Sequence, residues 1–192
     1  AETLDRFAEA GRQAALADLI VISKTDLAPP GPDLFRRLDA LNTQAGRVFA
    51  ADLADPGTVL FGAAERPVVP LAPAAAHSHG IDAFGIVLAG ALSRLDFARA
   101  LGGLARARGN DLLRVKGILR FSDRPERPAV VQAAQHALFA PEWLERWPDG
   151  DERSRLVFIV HDIPRAEILE RFAFAAPAPW SAAPAQSSPD QH

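Results

Sequence analysis

A proline- and alanine-rich stretch at residues 65–76 constrains the fold of this chain more than any other feature. Three evenly spaced prolines lie within it, and each lacks the backbone N–H that a helix or a central strand needs. Such a stretch favours extended backbone and behaves as a linker. The sequence therefore predicts two separately folded units, residues 1–64 and residues 77–173, on either side of it.

The first unit has the pattern of an α/β layer. Apolar residues recur at helical spacing over residues 2–17, directly before the unbroken run Leu-Ile-Val-Ile at residues 19–22. A short β-branched run of this kind is typical of a strand covered on both faces, as in a parallel sheet. A second helix around residues 34–41 and a second strand at residues 47–51 complete an αβαβ order.

The second unit is predicted to be an α+β domain with an antiparallel sheet packed against helices. The strand predicted at residues 113–121 alternates strictly, so that one face is apolar and the other carries Arg114, Lys116 and Arg120. The other predicted strands lie at residues 81–88, 129–138 and 156–160, and the predicted helices at residues 96–108, around 143–147, and from 164 to about 172.

The last residues have a different composition. Pro, Ala, Ser and Gln dominate residues 174–192, and such a segment cannot bury enough apolar surface to offset the entropy lost on ordering. We expect a disordered tail there.

A polar loop, Ser23-Lys24-Thr25-Asp26, follows the predicted strand at residues 19–22. Open α/β sheets place their ligand crevices at the carboxyl ends of strands. The carboxylate of Asp26 can accept hydrogen bonds from the N1–H and N2–H groups of guanine, a pair that adenine cannot supply. A buried carboxylate left unpaired costs about 1–3 kcal/mol, so this contact can discriminate between bases. The alternative is an ordinary turn in which Asp26 only caps the following segment.

This loop resembles the [N/T/S]-K-x-D guanine-specificity motif of GTPases, with Ser23 where the motif usually has Asn. The stretch from Arg12 to Leu27 looks like the corresponding part of CobW-family GTPases, and later segments resemble the CobW C-terminal domain. Those segments are His77-Ser78-His79-Gly80-Ile81, Leu95-Asp96, Leu113-Arg114-Val115-Lys116-Gly117-Ile118-Leu119, Val130-Val131-Gln132, Trp143 and Arg153-Ser154-Arg155-Leu156-Val157-Phe158-Ile159. The resemblance implies guanine binding by Ser23, Lys24 and Asp26, with the stem of Lys24 against the base.

The same resemblance implies a GTP-dependent metallochaperone that uses GTP and magnesium. It delivers zinc or cobalt to a client metalloprotein, in some members with a link to cobalamin biosynthesis. Residues 1–64 would then be the C-terminal remnant of a P-loop GTPase domain, and residues 77–173 the CobW C-terminal domain.

Two motifs of that family are missing from the printed sequence. It has two lysines, Lys24 and Lys116, neither in a Gly-x-x-x-x-Gly-Lys-[Ser/Thr] loop, and it has no cysteine for the Cys-x-Cys-Cys motif. The chain begins at Ala1 and contains no methionine. We therefore expect a fragment that is inactive as a GTPase alone and binds the upstream part of its own GTPase domain. The alternative is a stand-alone interaction module without catalysis.

Metal and partner sites are also suggested by the sequence. His77 and His79 stand two residues apart at a predicted strand entry and can share a divalent ion, although two imidazoles alone make an incomplete site. Arg114, Lys116 and Arg120 form a cationic stripe on one strand face. This stripe can dock an acidic client or the nucleotide domain, or it can be a solvated face. His136 and His161 lie on predicted strands, where a satisfied, partly buried histidine is the expected role.

Charge and hydropathy exclude other function classes. The formal net charge is −3 and the pI about 6.0, with both signs interspersed, so neither nucleic acid nor an anionic membrane is an expected partner. No apolar run approaches the roughly 20 residues that span a bilayer, which favours the cytoplasm. The predicted strand at residues 19–22 needs neighbours on both sides, so contact with a second copy is also an expectation.

Overall fold

The computed structural model describes residues 8–43, 45–53, 80–148 and 151–179, together with Leu4 and Gly57. The predicted linker at residues 65–76, His77 and His79 lie outside the described residues, as do residues 180–192. None of the helices in the described ranges is long and apolar enough to cross a membrane.

The predicted αβαβ order is present in the first unit. Its elements are α1 (Ala8–Leu16), β1 (Leu19–Ile22), α2 (Pro32–Leu41) and β2 (Gly46–Phe49). Strands β1 and β2 pair in parallel, from Leu19 opposite Gly46 to Ile22 opposite Phe49. Only Ile22 of β1 is buried, so this strand is less covered than its apolar sequence predicts.

Asn42, the residue after α2, links the end of that helix to the end of α1 by hydrogen bonds. Its fully buried side-chain amide donates hydrogen bonds to the carbonyls of Ala14, Ala15 and Ala17 at 2.9, 3.1 and 2.9 Å, and its Oδ1 accepts one from the N–H of Ala45 at 3.0 Å. The last carbonyls of a helix have no partner within the helix. Asn42 supplies that partner and so fixes where β1 begins.

The second unit contains the predicted antiparallel sheet. The strands are β3 (Ile81–Leu88), β4 (Arg114–Leu119), β5 (Ala129–Ala134), β6 (Ala137–Leu138), β7 (Glu142–Trp143), β8 (Ser154–His161) and β9 (Ala178–Pro179); the helices are α3 (Arg94–Arg108) and α4 (Arg165–Arg171). The strand order is β6-β5-β4-β8-β3-β9, and β7 pairs with β5.

Both faces of this sheet are covered. On one face α3 and α4 pack over a core that includes Leu104, Phe158 and Phe172. On the other face α1 and α2 pack on the strands, where Leu38 and Ile159 share one buried cluster. Side chains alternate between the faces of a strand, and a central strand buried on both sides needs apolar residues at successive positions. The central strand β8 has this pattern.

Three sequence predictions differ from the structure. The strand predicted at residues 129–138 is a hairpin, because Gln135 adopts a left-handed φ of 51° and turns the chain between β5 and β6. The short helix predicted around residues 143–147 is instead strand β7 followed by bends. Order continues past residue 173, because Ala175 is buried and Ala178 pairs with Val87 of β3. Long-range contacts therefore order part of a segment whose composition predicts disorder.

Candidate functional site

The predicted base-recognition loop leaves β1 as an exposed turn. Ser23, Lys24 and Asp26 are all exposed, and Lys24 has a left-handed φ of 59°. The carbonyl of Lys24 accepts hydrogen bonds from the N–H groups of Leu27 at 3.1 Å and Ala28 at 3.5 Å. The backbone alone thus shapes the turn, which leaves the three predicted side chains available to a ligand.

Asp26 does not act as a helix cap. Helix α2 begins after Gly31, and no side chain caps it. Within the described part of the chain, no side-chain hydrogen bond or ion pair engages the Asp26 carboxylate. In the ordinary-turn alternative, Asp26 caps the following segment. The structure contains no such cap at the start of α2, so this alternative lacks its main support.

Leu27 ends the stretch that resembles CobW-family GTPases, and its place directly after Asp26 favours the guanine interpretation of the loop. Its side chain is 77% exposed, directly beside Asp26. An exposed apolar side chain next to a carboxylate can contact the face of an aromatic base while the carboxylate reads its edge. In the sequence, its signal is its place between Asp26 and the run Ala28-Pro29-Pro30.

Asp18, immediately before β1, is the point at which the cationic stripe meets the first unit. Its carboxylate pairs with the guanidinium of Arg114, and Lys116 Nζ lies 3.1 Å from Asp18 Oδ1. Arg114 also donates to the carbonyl of Leu16 at 2.5 Å. The Arg114 side chain is only 7% exposed. Two of the three stripe residues, Arg114 and Lys116, therefore contact the first unit of this chain.

Arg120, the third predicted stripe residue, lies apart from this junction. Its guanidinium pairs with Glu152 at 2.6 Å and lies 5.7 Å from the centre of the Trp147 ring. The three predicted partner-binding residues therefore belong to two separate internal contacts.

A second arginine-rich junction lies at the start of β8. The carboxylate of Asp151 accepts hydrogen bonds from Arg153 Nε at 2.9 Å and Nη2 at 2.8 Å, and the buried Arg155 donates to the carbonyl of Asp151. The side-chain hydrogen bonds from Arg153 hold the pKa of Asp151 below its ordinary value, against the opposing effect of burial. This arrangement fixes the entry to β8.

The two histidines predicted on strands have different settings. His161 ends β8, half-buried, with its Nδ1 3.4 Å from Asp111 Oδ1 and 3.6 Å from Asp162 Oδ2. His136 is exposed on the β5–β6 turn, 3.3 Å from the side-chain oxygen of Asn110; its predicted place on a strand was wrong. In the ranges described, no group of three or more His, Cys, Asp or Glu side chains could hold a metal ion.

Comparison with known proteins places both units in context. Residues 81–176 match the model of the family described as the cobalamin synthesis protein cobW C-terminal domain. Over 182 residues the chain is 30% identical to the zinc chaperone YjiA of Escherichia coli strain K12, covering 90% of this chain and 56% of that relative.

Solved structures give the same picture. A Zn(II)-bound triple mutant of the YjiA GTPase superposes with a TM-score of 0.69 at 26% identity, covering 91% of this chain and 57% of the other. For Zn(II)-bound YjiA GTPase from E. coli the TM-score is 0.64 at 24% identity, which supports the fold alone. The chain therefore spans a little over half the length of the relatives it matches.

Proposed function

Since this chain belongs to the CobW-type GTPase and metallochaperone family, we propose that it contributes a guanine-recognition loop and a partner-binding sheet domain to a GTP-dependent metal-handling protein. The α/β layer of residues 8–53 would be the C-terminal portion of a P-loop GTPase domain. A client metalloprotein would receive the metal, in the cytoplasm. Zinc is the favoured cargo because the relative named above is a zinc chaperone; cobalt, with a cobalamin-related role, is the second candidate.

The exposed Asp26 carboxylate at the carboxyl end of β1 carries this proposal. Its two oxygens can accept from guanine N1–H and N2–H together, and no described side chain competes for them. Leu27 and the stem of Lys24 offer apolar surface to the base. Adenine presents no such pair of donors, so this arrangement favours guanine.

Phosphate and magnesium binding lie outside the role proposed for this chain. Its residues do not fit either group, because Lys24 belongs to the base loop and Lys116 is bound to Asp18. The printed sequence also contains no phosphate-cradling glycine–lysine loop. The chemistry of hydrolysis would come from a phosphate-binding unit acting together with this one.

His77 and His79 remain a proposed secondary contact for the metal cargo. Two imidazoles do not complete a zinc site, which takes three or four protein ligands. The client or the rest of the GTPase would have to supply the others.

Nucleotide binding by the full-length protein tests the proposal. Labelled GTP and labelled ATP are titrated with and without zinc, and we expect binding of GTP in preference to ATP. Equal affinity for the two nucleotides, or no binding of GTP, would refute it. The second outcome would favour the alternative, a CobW C-domain interaction module without catalysis.

A further inference from the structure

An apolar groove of about 280 Å³ lies between α3 and residues 138–141, on the sheet face opposite the cationic stripe. Phe97, Leu101 and Phe121 line it and also belong to the buried core. Leu138 and Phe139 line its outer side, yet 48% and 59% of their surface is exposed. The groove thus joins the core to an exposed apolar edge.

The exposed edge at residues 135–142 is unusually apolar for a segment on the protein surface. Every residue from 135 to 142 is exposed, and the five at 137–141 read Ala-Leu-Phe-Ala-Pro. An exposed apolar sheet edge invites association and normally marks an interaction site. Pro141 lacks the N–H that an added strand would need, and β6 is only two residues long. Insertion of side chains into the groove is therefore favoured over addition of a strand.

The volume of the groove limits what can occupy it. Small-molecule sites typically measure roughly 300–1,000 Å³ and enclose most of their ligand. A groove of 280 Å³ open along one side is better suited to a few apolar side chains of a peptide. An amphipathic helix delivers such side chains at i, i+3, i+4 and i+7.

The helix beside the groove is basic. Helix α3 carries four arginines and one aspartate, although the whole chain has a formal net charge of −3. Arg94 is the one ionisable side chain among the described residues that line the groove, and it pairs with Asp123. The aspartate of α3, Asp96, lies 3.6 Å from Arg99. The surplus positive charge must therefore lie further along the helix.

Arg106 provides that surplus charge. A Cβ placed on Gly102 would lie 3.4 Å from Arg106 Nη1 and 3.9 Å from Leu138 Cδ1, so the guanidinium and Leu138 flank the same spot. No carboxylate pairs with Arg106 among the residues that the structure describes. Glu142, at the other end of the exposed edge, lies four residues beyond Leu138. Charge complementarity then favours a partner whose apolar side chains are flanked by a carboxylate.

We propose that this groove docks an acidic amphipathic segment of the client protein. Its apolar side chains fill the space beside Leu138 and Phe139, and one of its carboxylates pairs with Arg106. This inference rests on the proposed function, which supplies the client. It places partner binding on the sheet face opposite the stripe of Arg114 and Lys116.

A labelled peptide probes the groove directly. This acidic peptide carries Leu and Phe at i, i+3, i+4 and i+7 and Glu or Gln elsewhere. A second peptide, its lysine twin, is identical except that Lys replaces Glu. Fluorescence polarisation with the 192-residue chain measures both affinities. We expect the acidic peptide to bind more tightly than its lysine twin. Leu138→Ser with Phe139→Ser should weaken binding of the acidic peptide about tenfold or more. Arg106→Glu should abolish the preference for the acidic peptide.

Phe174→Ser is the matched control, because Phe174 is 49% exposed and lies four residues before β9, the strand at the opposite edge of the sheet from β6. Circular dichroism establishes that each variant folds. The inference is overturned if neither peptide binds, if the lysine twin binds equally well, or if the control weakens binding as much as the groove variants do. In the full-length protein the groove variants should leave the preference for GTP over ATP unchanged, so failure of docking and failure of the proposed function are distinguishable.

Discussion

Asp18 and Arg114 form an ion pair that joins the residue before β1 to strand β4 of the antiparallel sheet. Asp18 is the residue before β1, while Arg114 opens β4 and is almost fully buried. Lys116 reaches the same carboxylate at 3.1 Å. The position of β1, and of the loop at its end, therefore depends on this junction.

Removing the carboxylate should destabilise the chain. Asp18→Ala removes the carboxylate that pairs with the buried guanidinium of Arg114, and breaking a fully buried ion pair in this way costs about 3–5 kcal/mol. Since Asp18 is 45% exposed and water can enter, we expect about 2–3 kcal/mol in the free energy of unfolding, measured with urea. Asp39→Ala, which breaks an exposed pair with Arg47, should cost less than about 1 kcal/mol.

A second variant separates charge from packing at this junction. Combining Asp18→Ala with Arg114→Met replaces the pair with apolar groups, which should recover part of the lost stability. If the double variant is no more stable than Asp18→Ala alone, the cost does not come from an unpaired buried charge.

Gly117 is required by the close approach of β4 and β8. A Cβ at this position would lie 2.4 Å from the carbonyl oxygen of Arg155 and 2.4 Å from Leu156 Cδ2. Because the first of these atoms is backbone, the strands must separate, and we expect Gly117→Ala to lower the free energy of unfolding by about 1–3 kcal/mol. A Cβ on Gly31 would have no atom within 4 Å, so Gly31→Ala should change stability little. Thermal or urea unfolding of both variants measures the difference.

Asp151 should make stability depend on acid pH. The pKa of its carboxyl is lowered in the folded state by Arg153, so the unfolded chain binds a proton more readily and stability falls as pH drops below about 4. Asp151→Asn should be less stable than the parent at pH 7, by about 1–3 kcal/mol. That difference should shrink as pH falls through the folded pKa of Asp151.

Urea unfolding at several pH values from neutral to strongly acid measures this dependence. Asp33→Asn is the control, because the pair of Asp33 with Arg36 is well exposed and should contribute little at any pH. A difference between Asp151→Asn and the parent that is the same at all pH values would contradict the explanation.

The elements best predicted from sequence are those decided by local pattern. The runs at residues 19–22 and 81–88 have the predicted bounds, because the first is an unbroken apolar run and the second is rich in Ile, Val, Leu and Phe. The membership of β4 and β8 in one antiparallel sheet was also expected. Family resemblance, rather than periodicity, supplied the link to guanine.

The features missed depend on contacts between distant residues. Asn42 holds the end of α1 across 28 residues of sequence, and nothing local to it indicates a buried amide. Order in Ala178 depends on pairing with Val87. The partners of the cationic stripe were left open for the same reason, since Asp18 lies 96 positions before Arg114.

Asp26 is the residue on which the proposed function depends most directly. Its carboxylate should accept a hydrogen bond from the N2 amino group of guanine. The side-chain NH2 group of an Asn at this position would instead face that amino group, and two donors cannot form a hydrogen bond. Xanthine has a carbonyl oxygen at that ring position, and the side-chain amide of Asn can donate to it. Asp26→Asn should therefore exchange a preference for guanine for a preference for xanthine.

The decisive measurement is the affinity of the full-length protein, with Asp26 and with Asp26→Asn, for GTP and for xanthosine triphosphate. We expect the variant to lose affinity for GTP by about tenfold or more and to gain affinity for xanthosine triphosphate by a similar factor. Unchanged affinities for both nucleotides in the variant would show that Asp26 does not read the base.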